Sequence, residues 1–175
     1  MPHVELEAAG RERRETFLNL FQLYIHDFSD FWTDLPDGDL GEDGRFEDYA
    51  HLDSYWTDAD REALLIRSDG RLAGFALINA FAHSGLPIDF SMAEYFVARK
   101  YRRAGVGTQA ASQILRARPG LLELAVARRN VAAQTFWRRV AASIASGPIG
   151  EHERADDHVR DHGEDQHHRR GPARR

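Results

Sequence analysis

Tyr101-Arg102-Arg103-Ala104-Gly105-Val106-Gly107-Thr108 is the stretch that decides how this chain folds. It follows an apolar run (Tyr95, Phe96, Val97) and opens a helical pattern (Val106, Ala110, Ile114). Two glycines let the backbone turn tightly around an anion. A helix starting here leaves several N–H groups unpaired, with the positive end of its dipole directed outward. Two adjacent arginines add full charges. Together these features describe a pyrophosphate site, and hence a nucleotide-like cofactor.

Upstream, two apolar runs at residues 64–66 and 72–78 flank Ser68-Asp69-Gly70-Arg71, a strong hairpin signal. A third strand is expected at 92–98, leading into the glycine loop. At the N-terminus Val4–Ala8 alternates like a strand, and Phe17, Phe21, Tyr24, Ile25 and Phe28 recur at helical spacing. Residues 29–60 read as an acidic loop, with a short helix at 49–56. Downstream, Pro119-Gly120 ends the glycine-loop helix, residues 121–127 read as a strand, and Asn130 caps a last helix through Phe136 and Val140. The order predicts an α/β domain: a mixed, mostly antiparallel sheet flanked by helices.

The 175 residues suffice for one domain with a sizeable core, and 42% hydrophobic content fits that reading. The net charge of -5 argues against a dedicated nucleic-acid partner. No apolar run is long enough to cross a bilayer and the first residues lack a signal-peptide pattern, so a cytoplasmic location is expected. The absence of cysteine excludes disulfides and thiolate chemistry.

Three other readings compete for the glycine loop. Gly105-Val106-Gly107-Thr108-Gln109-Ala110 also fits the dinucleotide fingerprint GxGxxG/A, with Glu123 near the expected acidic position. In a dinucleotide fold, however, the strand runs almost directly into the first glycine, whereas here the basic segment 99–104 intervenes. A Walker loop fails because no Gly-Lys-Ser/Thr follows. The structural alternative is a glycine-rich helix start with incidental arginines.

The segment resembles the GNAT N-acetyltransferase superfamily more closely. That family's acyl-CoA loop, Arg/Gln-x-x-Gly-x-Gly/Ala, is matched by Arg102-Arg103-Ala104-Gly105-Val106-Gly107. One helix and one strand later, Asn130-Val131-Ala132-Ala133-Gln134-Thr135-Phe136-Trp137 is similar to its second motif, Asn-x-x-Ala-x-x-Phe-Tyr. The pair of motifs at that spacing is specific in a way that neither is alone.

The resemblance implies direct attack of a neutral amine on acetyl-CoA, and so an N-acetyltransferase acting on a small molecule or peptide. Backbone N–H groups across Arg103, Ala104, Gly105, Val106, Gly107 and Thr108 would hold the pyrophosphate, with Arg102 and Arg103 screening its charge. Phe96, Val97 and Ala98 would pair with pantetheine in a gap between the fourth and fifth strands, and Asn130 would fix pantetheine or simply cap its helix. The base nominated is Glu94, a lone carboxylate in an apolar strand, whose burial would raise its pKa; the alternative is a merely solvated or paired strand position. Trp137 stands beside the cofactor where the family carries its acid tyrosine, so water, Tyr24, Tyr95 or nothing replaces that acid. The departure also supports a second reading, a non-catalytic or decayed acyl-CoA-binding paralogue.

The acidic segment, with Arg45 as its one strong base and with Phe31, Trp32, Tyr49, Tyr55 and Trp56 around it, would draw in a cationic amine. An ordinary solvated loop is the alternative. A homodimer is compatible with the sequence. The domain is expected over residues 1–150, followed by a polar tail at 151–175 that holds too little apolar surface to order itself. Family members finish with two further strands, and no strand pattern follows Gly150; the His/Arg/Asp/Gly mixture there is of the kind GC-rich DNA gives when read out of frame. The tail histidines (His152, His158, His162, His167, His168) lack the pre-ordered, carboxylate-supported pattern of a zinc site, so no metal is expected.

Overall fold

A computed structural model describes residues 1–33 and 38–153. The elements are β1 (Val4–Ala8), α1 (Arg14–Ser29), β2 (Glu62–Ser68), β3 (Arg71–Asn79), β4 (Phe90–Val97), α2 (Val106–Arg116), β5 (Leu122–Leu124) and α3 (Val131–Ile144). They form one five-stranded sheet in the order β1-β2-β3-β4-β5. The first four strands are antiparallel neighbours; β4 and β5 are parallel. This is the mixed α/β architecture expected from the sequence. Among the described residues no strand pairs with the outer edge of β5. No helix is long and apolar enough to cross a membrane among those residues.

Local chemistry accounts for most elements. Asp69 (φ 50°) and Gly70 (φ 74°) both take left-handed backbone, the two-residue turn that matches the twist of a hairpin. Asp69 also accepts a hydrogen bond from the His3 N–H at 2.9 Å, which fixes the start of β1 beside the turn. Both faces of the sheet are covered, so the central strands read as continuous apolar runs rather than alternating ones. On one face Ala63, Leu65, Phe75, Leu77 and Phe96 pack under α1 (Phe17, Phe21) with Leu52 and Tyr55. On the other, Leu64, Ala76, Ile78 and Met92 pack under α2 (Ala111, Ile114) and α3 (Trp137, Val140).

Two expectations change in detail. The helix expected at 49–56 is a 3₁₀ turn, Leu52–Trp56, pinned where Asp53 accepts from Arg14 Nε at 2.9 Å and the Trp56 indole N–H donates to the Ala9 carbonyl at 2.8 Å. The strand expected at 121–127 is only Leu122–Leu124, because strand length is set by the partner and β4 turns away after three pairs. Of the tail, Glu151 accepts two hydrogen bonds from Arg138, each 2.8 Å; the disorder and the histidines expected from residue 154 onward lie outside the described residues.

At Gly74 the backbone of β4 lies close over β3. A methyl group there would lie 2.0 Å from the Phe96 carbonyl oxygen, with no flexible side chain able to move aside. Gly74→Ala is therefore expected to destabilise the domain by about 2–3 kcal/mol. A urea midpoint lowered at unchanged slope checks this, and an unchanged midpoint contradicts it.

Candidate functional site

β5 follows β4 only through Phe90↔Leu122, Ser91↔Glu123 and Met92↔Leu124. β4 then continues to Val97 without a β5 partner, so the two parallel strands open into a wedge. The cause lies on the other side of β4. Its register against β3 jumps from Ile78↔Met92 to Leu77↔Glu94, leaving Ala93 as the extra residue of a bulge. A bulge bends its strand and re-aims the side chains beside it. Here it turns β4 from β5 where Glu94 begins.

At the end of β4, Phe96 and Val97 are buried, and the Ala98 N–H donates to the Ala73 carbonyl at 2.8 Å. A 3₁₀ turn (Arg99–Tyr101) leads into the glycine loop. Arg103 (φ 63°) and Gly105 (φ 86°) are both left-handed on either side of Ala104. The first helical bond of α2 runs from the Gln109 N–H to the Gly105 carbonyl at 3.0 Å. Among the described residues, the N–H groups of Arg103, Ala104, Gly105, Val106, Gly107 and Thr108 make no backbone hydrogen bond. This is a row of orphan donors at the positive end of a helix dipole, and so an anion cradle.

The two arginines have separate tasks. Arg102 Nε donates to the Val97 carbonyl at 2.6 Å, its guanidinium lies 5.5 Å over the Phe96 ring, and a second nitrogen pairs with Asp27. Arg103 is exposed and forms no ion pair among the described residues. The unpaired charge beside the cradle, among the described residues, is therefore that of Arg103, while Arg102 braces the strand end.

Asn130 caps α3, its Oδ1 accepting from the Ala133 N–H at 3.0 Å. Trp137 is buried in the core between sheet and helices, edge-on to Tyr95 at 5.1 Å and to Phe136 at 4.9 Å. Its neighbour Phe136 backs the loop: a methyl group on Gly107 would touch the Phe136 ring and Val97, each at 3.6 Å. The sequence carries no signal for that exchange, because adjacent helix positions differ only by rotation about the axis.

Glu94 faces α1. The Tyr24 hydroxyl donates to Glu94 Oε2 at 2.5 Å. Around them Tyr24 packs on Phe28 (4.6 Å), Tyr49 stacks on Phe21 (4.7 Å), and Asn79 Nδ2 donates to the Tyr55 hydroxyl at 3.3 Å. Burial first, and then the negative charge of Glu94, pushes the Tyr49 and Tyr55 hydroxyls up, Tyr55 to about 12. Both stay protonated donors at neutral pH. The other tyrosine considered from sequence, Tyr95, lies toward α2, where its hydroxyl donates to the Gly107 carbonyl at 2.6 Å and burial raises its pKa. Of the aromatic residues expected to ring an entrance, Trp32 and Tyr55 are buried and act as walls.

The raised Tyr55 value has a consequence for stability. Between the unfolded tyrosine pKa near 10 and about 12, the folded state holds a proton that the unfolded state has lost. Stability is therefore expected to fall as pH rises through that window. Urea midpoints at pH 8, 10 and 11 for wild type and Tyr55→Phe check this; the variant should show the shallower decline.

A sequence profile of the acetyltransferase (GNAT) family matches residues 17–141. The chain belongs to that family. The match takes in β2, β3, β4, the glycine loop and Asn130. Comparison with curated proteins returns no match. Among solved structures, a single-site mutant of the BH1408 protein from Bacillus halodurans superposes with a TM-score of 0.60 at 12% identity, covering 85% of this chain and 98% of that one. The aminoglycoside acetyltransferase AAC(6')-Iy, in complex with the bisubstrate analogue CoA-S-monomethyl-acetylneamine, gives 0.54 at 15% identity, covering 87% and 99%. A ribosomal-protein-alanine N-acetyltransferase from Brucella melitensis gives 0.51 at 16% identity, covering 86% and 96%. At these identities the likeness is one of fold. In this GNAT domain, the orphan N–H row, the free Arg103 charge and the β4–β5 wedge suit the diphosphate and chain of an acyl-CoA.

Proposed function

We propose that the chain moves the acetyl group of acetyl-CoA to an amine of a small molecule or peptide, with Glu94 receiving the amine's proton. The observation that carries this reading is the continuity of β4. Glu94, held by Tyr24, lies just past the bulge in the stretch of the strand that β5 leaves unpaired, and the orphan N–H cradle lies just beyond the strand's end. Acetyl-CoA, when bound, supplies an activated thioester carbonyl. The cradle and Arg103 hold the diphosphate, and the wedge admits the pantetheine arm alongside Phe96, Val97 and Ala98. The new C–N bond replaces the C–S bond, the amine proton passes to Glu94, and the departing sulfur takes a proton from water. A thiolate is a far weaker base than an amine anion or alkoxide and leaves readily without a strong acid. Trp137 in place of a tyrosine is therefore compatible with turnover.

For the acceptor we favour an amine carrying additional positive charge. Glu94 sits in an aromatic recess, and the exposed segment before it carries Asp39, Asp43, Glu47 and Asp48 against the single base Arg45. Such a field concentrates cations at the entrance. Two solved structures with this fold are aminoglycoside acetyltransferases. Thiol release from acetyl-CoA tests the reading directly, because the chain has no cysteine to react with a thiol reagent. Cationic amines are expected to outpace neutral ones, with an advantage that shrinks as salt rises. Equal rates at every salt concentration contradict the charge preference. The non-catalytic reading rests on Trp137, and stabilisation by CoA with no turnover on any amine would favour it.

A further inference from the structure

Asp27 is a carboxylate that no part of the reaction above uses, and it lies at a junction of three elements. Its side chain is 15% exposed and accepts from Arg99 Nε at 2.8 Å and from a terminal nitrogen of the same guanidinium at 2.7 Å. It also pairs with a terminal nitrogen of Arg102. Arg102 in turn reaches the Val97 carbonyl at 2.6 Å and covers the Phe96 ring. One guanidinium plane therefore joins α1, the last residues of β4 and the entry to the glycine loop, which the planar fork of arginine allows and a lysine would not. Three residues earlier on the same helix, Tyr24 donates to Glu94. Positions three apart lie on one helix face. A single face of α1 thus holds Glu94 and the segment that sets where the orphan N–H groups lie.

We infer that Asp27 is a positioning residue: through Arg99 and Arg102 it fixes the cofactor loop relative to Glu94, so that the anion cradle and the proton acceptor keep one geometry. The inference rests on the acetyl-CoA reading above. It makes an expectation opposite in sign to that of simple charge screening. Neutralising Asp27 makes the loop region one charge more positive, so a screening role predicts tighter CoA binding in Asp27→Asn. A positioning role predicts weaker binding, because the arginines lose their anchor and the donors lose their alignment.

The test is calorimetric titration of the full chain with CoA, in wild type, Asp27→Asn, Arg102→Gln and the double variant, alongside steady-state kinetics. Asp27→Asn is expected to raise the CoA Kd and the KM for acetyl-CoA about tenfold, as misplacement of binding groups does. The change in kcat should be smaller. The double variant should be weakened by less than the two single effects added, since the Asp27–Arg102 contact is lost only once. Tighter or unchanged CoA binding in Asp27→Asn, or a lowered urea midpoint with unchanged Kd, overturns the inference while leaving the acetyl-CoA reading intact. A wild type that does not bind CoA overturns both.

Discussion

Glu94→Gln is expected to lower kcat by about 10²–10⁴-fold while leaving the Kd for CoA unchanged. The amide has nearly the shape of the carboxylate and can still accept the Tyr24 hydroxyl, which approaches Oε2 at 2.5 Å in the wild type. What it cannot do is take a proton from the attacking amine. The cradle is built from residues 103–108, beyond the end of β4, so the substitution leaves the phosphate contacts in place. Tyr24→Phe provides a graded comparison: it removes the hydroxyl donor to Glu94 but keeps the carboxylate, and its loss should be smaller. Pre-steady-state and steady-state thiol release in the three proteins separate these effects. A Glu94→Gln enzyme within threefold of wild type would show that the proton goes elsewhere.

Gly105→Asp is expected to weaken CoA binding about a hundredfold without unfolding the domain, because a carboxylate about 5–6 Å from the diphosphate costs about 3 kcal/mol at an effective dielectric near 20. Gly105 has φ 86°, a conformation that asparagine and aspartate tolerate better than other side chains, and a Cβ there meets only the Gln109 amide nitrogen at 3.6 Å. Gly105→Asn is therefore the control, sharing the backbone demand without the charge. The difference between the two variants isolates the electrostatic part, and raising salt should narrow it. Equal affinities in Gly105→Asp and Gly105→Asn would mean that no anion occupies the cradle.

Local chemistry made much of this fold readable. The Asp69-Gly70 turn, the amphipathic face of α1 and the Asn130 cap are each decided by a few adjacent residues, and each lies where the sequence places it. The glycine loop is legible for the same reason, since its orphan donors follow from a helix start. The short β5 was not legible, because its length depends on a bulge in β4 that alternation of side chains does not announce. Nor were the contacts that organise the site. Tyr24 reaches Glu94 across 70 residues, and Arg102 reaches Asp27 across 75. Both arginines look alike in sequence as partners for a phosphate. Only the proximity of α1 divides them into a brace and a free charge. Trp137 and Phe136 show the same limit, since helix rotation decides which ring enters the core.

The central claim is that the Arg103-to-Thr108 cradle takes the diphosphate of CoA. Calorimetric titration of the full chain with CoA, NAD and ATP in parallel tests it most directly. One CoA site per chain is expected, with NAD and ATP markedly weaker, since only CoA also brings a pantetheine arm to the wedge between β4 and β5. Binding of NAD with none of CoA would contradict it.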